Sequence, residues 1–368
     1  MRRMAAAIVL IALLLTPFAA PGNTPDAAIA KSAAKPKKPL AKPKPPAVPA
    51  RQLFGAASTP APLAARAIGF YARGCLSGAK PLAIDGPAWQ AMRLSRNRNW
   101  GHPQLVKLVE RLATEAKAQG GWRGLLVGDM SQPRGGPMLT GHASHQVGLD
   151  ADIWLTPMPD HRLSEKEREE LSATSMLASD GVSVDASIWT PAHAQLIRRA
   201  AAYPEVERVL VHPAIKKALC EAKDGDRSVL HKIRPYWGHH YHMHIRIACP
   251  KGSDNCEGQP SPPSDDGCGK ELDDWMARIK VPPRPDAKPA KPKPPLTLAQ
   301  LPAECKVVLE ARAKDGLEAD AKVLPEAGKP NAPEARTQVA PEARTKGASE
   351  AKDDAKRAHG PAGTNPKQ

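Results

Sequence analysis

The sequence predicts an α+β fold: a central, mainly antiparallel sheet flanked by helices, with extended tails at both ends. Three observations predict it. Short apolar runs and alternating segments interleave with segments of helical period between residues 52 and 281. The chain carries 40 prolines and only 4% aromatic residues, too many and too few for 368 packed residues. The prolines concentrate with Ala and Lys outside that central stretch.

In chain order, Arg2 and Arg3 precede an uncharged apolar run, Ala5 to Leu15, closed by Thr16, Pro17, Ala19 and Ala20. This is the layout of an export signal, expected to span 1–20 with cleavage between 20 and 28. It is too short to cross a bilayer comfortably. Residues 29–51 are nearly all Ala, Lys and Pro and read as an extended linker. Lys31, Lys35, Lys37, Lys38, Lys42 and Lys44 stand there without an acid and suit contact with anionic wall polymer or membrane surface. Export makes nucleic acid an improbable partner for the net charge of +15.

The core is expected over 52–281. Leu105, Leu108, Val109 and Leu112 give Pro103–Ala118 helical spacing. Gly124–Met130 is an apolar run suited to a buried strand, and Leu149–Leu155 alternates as a strand. Helix is expected over Pro191–Ala202 and Pro213–Ala222, with strands over Val206–Val211 and His240–Ile247. A Pro-rich segment (282–304) follows, and 305–368 reads as mostly disordered, with a short helix near Val307–Arg312. That tail repeats APEART at Ala332–Thr337 and Ala340–Thr345.

Six cysteines, Cys75, Cys220, Cys249, Cys256, Cys268 and Cys305, form no CxxC pair. An even number in an exported chain predicts disulfides.

Two segments carry the chemistry: GHASHQVGLDADIW (Gly141–Trp154) and GHHYHMHIRIAC (Gly238–Cys249). With the second as a strand, His240, His242, His244 and Arg246 share one face; Tyr241, Met243, Ile245 and Ile247 share the core face. In the first, Leu149, Ala151 and Ile153 alternate with Asp150, Asp152 and Trp154, which puts Asp152 on a polar face. A catalytic zinc takes three protein ligands and keeps one place for water. His145, Asp152 and one of the pair His242/His244 fit that set, and another imidazole would then move protons. Ser144 has no nucleophile elbow around it, so serine catalysis is unsupported.

These residues resemble a known family. GDMSQPRGGPMLTGHASHQVGLDADIW, RPYWGHHYHMHIRIACP and the downstream DGCG closely resemble the penicillin-insensitive murein endopeptidases, over about residues 65 to 310. The resemblance implies the metal-peptidase fold shared with lysostaphin-like, D-Ala-D-Ala and hedgehog-related proteins. It implies His145, Asp152 and His244 as ligands of one catalytic zinc, and His242 as base or transition-state stabiliser. His142 and His239 match further site histidines, and His142 is a candidate additional ligand. Asp180 matches an acidic position linked to an accessory metal; the family's nearby histidine is Ser183 here, which weakens the case for a second ion. Arg134 matches a candidate contact for a substrate carboxylate, with an ordinary salt bridge as the competing reading. The resemblance further implies disulfides Cys75–Cys305, Cys220–Cys268 and Cys249–Cys256.

The expectation is therefore a periplasmic zinc endopeptidase cutting D-alanyl–meso-diaminopimelyl cross-links of peptidoglycan. A D-Ala-D-Ala carboxypeptidase or dipeptidase is the neighbouring alternative, and an inactive peptidoglycan-binding module the more distant one. The sequence leaves the oligomeric state open.

Overall fold

Two antiparallel strands form the centre of the fold: β7 (Asp150–Trp154) and β10 (His242–Ile247). Asp152 lies opposite His244, and Asp150 opposite Arg246. The computed structural model describes residues 47–281 and 293–312. The expected signal segment, most of the Lys-rich linker, and residues 282–292 and 313–368 lie outside those described.

The sheet extends from this pair in both directions. On one side stand β6 (Leu125–Val127), antiparallel to β7, and β4 (Trp89–Ala91), parallel to β6. On the other stand β8 (Val206–Val211), antiparallel to β10, and β9 (Ile233–Pro235), parallel to β8. The sheet is thus antiparallel through its middle and parallel at both margins.

Alternation decides what each face does. Ala151, Ile153, Met243, Ile245 and Ile247 point into the main core and are at most 1% exposed. Helix α2 (Pro103–Gln119) brings Leu105, Val106, Leu108, Val109, Leu112, Ala113 and Ala116 into that core, an i, i+3, i+4, i+7 stripe. Helix α4 (Pro191–Ala202) adds Leu196, Ile197, Ala200 and Ala201. Each fully buried Leu or Ile there contributes roughly 1.5–3 kcal/mol. Helix α5 (Pro213–Glu221) adds Ile215 and Leu219, and α6 (Lys270–Lys280) packs against α5. The polar residues of β7 and β10 are left on the opposite face.

Two expectations change. The β10 strand begins at His242, not His240. Gly238 has φ +80°, and the chain after it runs beside a loop, where the His240 carbonyl accepts from the Met176 N–H. The His240 ring turns to Ser175 Oγ (3.0 Å) and so does not share the face of His242 and His244. The packed unit is also wider than 52–281. Helix α1 (Ala50–Gly55) and helix α7 (Glu304–Glu310) form a second core over β1 (Arg66–Phe70) and β2 (Arg73–Ser77). Ala50, Phe54, Ile68, Leu301, Cys305 and Val308 are buried in it. Pro-rich composition suggested spacer, but Ala50 N–H donates to Leu296 O and the Cys75–Cys305 disulfide ties α7 down. Cys220–Cys268 and Cys249–Cys256 are also bonded.

Candidate metal centre

Asp152 is the hub of the polar face. It is 4% exposed, and four imidazoles approach its carboxylate. His244 Nδ1 lies 3.1 Å from Oδ1, His145 Nε2 3.4 Å and His242 Nε2 3.7 Å; His142 Nε2 lies 3.5 Å from Oδ2. The rings of His145 and His244, distant in sequence, stand 4.7 Å apart. Burial pushes the Asp152 carboxyl upward, but His145, His242 and His142 outweigh it and hold the group well below the usual carboxylate range.

Backbone geometry sets the His145 ring. His145 itself has φ +66°, a left-handed conformation uncommon for a side-chain-bearing residue, and such strain persists where the surroundings impose it. Its N–H donates to Asp150 Oδ2 (3.1 Å), and its Nδ1 lies 2.9 Å from Met130 O. A carbonyl can only accept, so Nδ1 carries the proton and Nε2 the lone pair. Three residues on, Gly148 has φ +72°, and a Cβ there would meet Leu76 at 2.4 Å. The turn into β7 therefore needs glycine.

His244 is fixed by the same logic. Asp150 is fully buried and accepts from His244 Nε2 (2.7 Å) and Arg246 Nε (2.5 Å). With Nε2 donating, His244 Nδ1 presents its lone pair toward Asp152. Burial opposes protonation of His244, but Asp150 and Asp152 raise its pKa above the ordinary value.

Convergence leaves polar atoms without partners. His145 Nε2 and Asp152 Oδ1 are buried and make no hydrogen bond. Lone pairs aimed at one another over 3.1–3.4 Å repel unless a cation lies between them. Two ligands of one tetrahedral zinc, each at 2.0–2.1 Å, stand roughly 3.3 Å apart. The residues present therefore fit such an ion. Among the described residues, one group of ligand atoms lies mutually within 4.8 Å, that of His142, His145 and Asp152. His244 reaches the same carboxylate from the other strand.

The remaining expected residues divide. His242 is 7% exposed; burial pushes its pKa down to about 4 against the pull of Asp152, and its Nδ1 lacks a partner. His239 is half-buried, its ring 4.9 Å from that of His242, and burial lowers its pKa well below the ordinary value. Asp180 stands exposed in a turn outside the cluster, accepting from the N–H groups of Val182 and Ser183 (2.9 Å each) and from Ser183 Oγ (2.6 Å). Arg134 forms no salt bridge among the described residues. Its guanidinium donates to the carbonyls of Thr59, Val308 and Leu309, clasping α7.

Two carboxylates escaped the sequence reading. Asp150 sits on the same alternating face as Asp152, which was the available signal. Asp129, just past β6, is 4% exposed and accepts from Arg98 Nη1 (2.8 Å) and Arg96 Nη1 (3.1 Å), with His142 Nε2 at 3.0 Å. Nothing local in GDM marks it.

Comparison with known proteins gives this geometry a family. Residues 67–310 match the family model described as penicillin-insensitive murein endopeptidase. A protein of that name from Yersinia enterocolitica is 44% identical over 246 residues, covering 67% of this chain and 86% of its own length. Its counterpart from Klebsiella pneumoniae is 42% identical over 246 residues with the same coverage. That from Haemophilus influenzae is 44% identical over 236 residues, covering 61% of this chain and 77% of its own length. The matched span takes in β7, β10, all six cysteines and every residue that approaches Asp152, and the chain belongs to the penicillin-insensitive murein endopeptidase family.

Proposed function

We propose that this protein is a murein endopeptidase that hydrolyses D-alanyl–meso-diaminopimelyl cross-links with one zinc ion held by His145, Asp152 and His244. The observation that carries this reading is the pair of buried, unpartnered ligand atoms, His145 Nε2 and Asp152 Oδ1, with His244 Nδ1 facing the same carboxylate. On this reading the fold is of the lysostaphin and hedgehog-related metal-peptidase kind. The protein acts in the periplasm, where its three disulfides persist and the apolar N-terminal run directs it.

Zinc bound there supplies Lewis acidity, polarising a carbonyl and making water acidic enough to attack near neutral pH. The protein's own groups do the rest. Met130 O and Asp150 hold His145 and His244 in the tautomers that offer lone pairs. His242, neutral above pH 4 to 5, stands beside Asp152 with Nδ1 unpaired, ready to accept a proton or steady a developing oxyanion. Asp129 orients His142 at the rim.

The test uses the purified protein, zinc and cross-linked muropeptide dimers. Wild type should release monomers and bind about one zinc per chain. His145→Ala should lose at least about a hundredfold in zinc affinity and a thousandfold in turnover. Retention of both by the variant would overturn the proposal. Trimming of terminal residues with dimers left intact would assign a carboxypeptidase instead.

A further inference from the structure

A strip of aromatic side chains leads outward from the site. Among the described residues, the aromatic side chains more than a third exposed are Tyr236 (50%), Trp237 (49%) and Tyr241 (37%). All lie in one short segment of a chain that is only 4% aromatic, so composition does not explain the clustering. The His239 ring, 4.9 Å from His242, is 5.5 Å from Tyr236. Tyr236 is 6.1 Å from Trp275, and Trp237 is 5.5 Å from the same indole. The outer rings meet at 51° and 68°, a stepped arrangement rather than a stack. Arg278 lies 5.3 Å from the centre of the Trp275 ring.

The strip is built on fixed supports. Tyr236 N–H donates to Val211 O at the end of β8 (2.8 Å). Trp275 sits on α6, whose Leu272 and Met276 are buried and whose start is anchored by Cys220–Cys268. Exposed aromatic surface of this kind gains nothing in the folded state and marks a place where something docks.

We infer that Tyr236, Trp237 and Trp275 form a platform for the glycan strand of murein, a reading that rests on the function proposed above. Two features select this occupant. The strip is continuous with the ring of His242, so whatever lies on it is joined to what enters the site. Its ring faces are flat and carry no formal charge of their own, with Arg278 lying 5.3 Å from the Trp275 ring. The cross-linking peptides of murein carry no rings, whereas the strand from which they hang is a row of neutral pyranose rings whose C–H faces stack on indole and phenol. The platform takes the sugars while the histidine and aspartate cluster takes the peptide.

The experiment has two arms on the intact, disulfide-bonded protein. In the first, a β-1,4-linked N-acetylglucosamine tetramer is titrated against tryptophan fluorescence. Saturable quenching is expected, weakened at least fivefold in Trp275→Ala and Trp237→Ala, with Trp275→Phe within twofold of wild type because a ring is kept. In the second, KM on intact sacculi is divided by KM on a glycan-free cross-linked peptide dimer. That ratio should rise about tenfold in the alanine variants. No saturable binding, or an unchanged ratio together with unchanged titrations, would overturn the platform. If wild type cut neither sacculi nor the dimer, the peptidase reading would fall and the sugar titration alone would decide.

Discussion

Histidines do two different jobs in two regions of this molecule, and their hydrogen bonds tell them apart. At three helix starts an imidazole caps backbone. His102 Nδ1 accepts from Gln104 N–H at the start of α2, and His212 Nδ1 accepts from Ala214 N–H at the start of α5, both at 3.2 Å. His193 Nδ1 accepts from Thr190 N–H (3.1 Å) at the start of α4, and its Nε2 donates to Leu155 O (3.0 Å). Each of these lone pairs is matched to a donor that the helix would otherwise leave orphaned. On the β7–β10 face, by contrast, His145 and His244 each donate one N–H to the protein and aim the other nitrogen at a carboxylate that cannot donate. All these rings are buried. What separates a structural histidine from a ligand is whether its lone pair has a donor, not how deeply it lies.

The sharpest challenge to that distinction is Asp150→Asn. Asp150 touches no expected ligand atom, yet it fixes the His244 tautomer and neutralises Arg246. Arg246 is 5% exposed and otherwise rests on Tyr71, 3.6 Å below its guanidinium, and on Gln259. Removing the charge should weaken zinc binding about 10–100-fold, measured by chelator competition. It should also destabilise the metal-free fold by about 3 kcal/mol, because a buried cation loses its partner. Unchanged zinc affinity would mean that His244 is not held as a ligand.

How much of this was readable depends on range. Alternation in Leu149–Leu155 and His242–Ile247 separated core face from polar face because a strand's side chains have period two. The α2 stripe and the boundaries of α4 and β8 followed from equally local patterns. The pairing of Asp152 with His244 did not, since register joins segments with no sequence relation. Asp150 was visible on the right face, but an acid gains its meaning only when Arg246 stands opposite. Asp129 lies beyond local signal altogether: it reaches His142 because the end of β6 abuts β7. The short strands β1 and β2 were unread because each is brief and broken by glycine. The packing of α1 was unread because it follows a Pro-rich stretch, while α7 was anticipated through the implied Cys75–Cys305 bond, 230 residues apart, but not its packing on β1 and β2.

The cap histidines should reveal themselves by acid. Burial, with His240 adding to it, pushes the His212 pKa down to about 4, below its ordinary 6.5. The unfolded chain therefore takes up a proton that the folded chain refuses. The stability held by neutral His212 is complete above about pH 6.5 and is lost as pH falls toward 4. Between pH 7 and pH 5 the loss is about 2 kcal/mol. His212→Asn keeps a good N-cap without a titrating group. Its melting temperature should fall less than that of wild type over this range. Parallel losses in the two proteins would show that the ring is not buried neutral at the cap.

The smallest effect carries the same distinction from histidine to aspartate. Every oxygen of Asp180 is occupied by its own turn, through Val182, Ser183 and the Ser183 hydroxyl, which lowers its pKa but leaves nothing converging on a cation. Asp152, with Oδ1 buried and unpartnered, is its opposite. Asp180→Ala should leave stability nearly unchanged, as expected for loss of an exposed side-chain turn bond. Zinc content, measured by atomic absorption, should stay at about one ion per chain and turnover within about twofold. A drop in zinc content in this variant would show that a carboxylate already satisfied by its own turn can still bind metal, and the rule drawn from the histidines would not extend to acids.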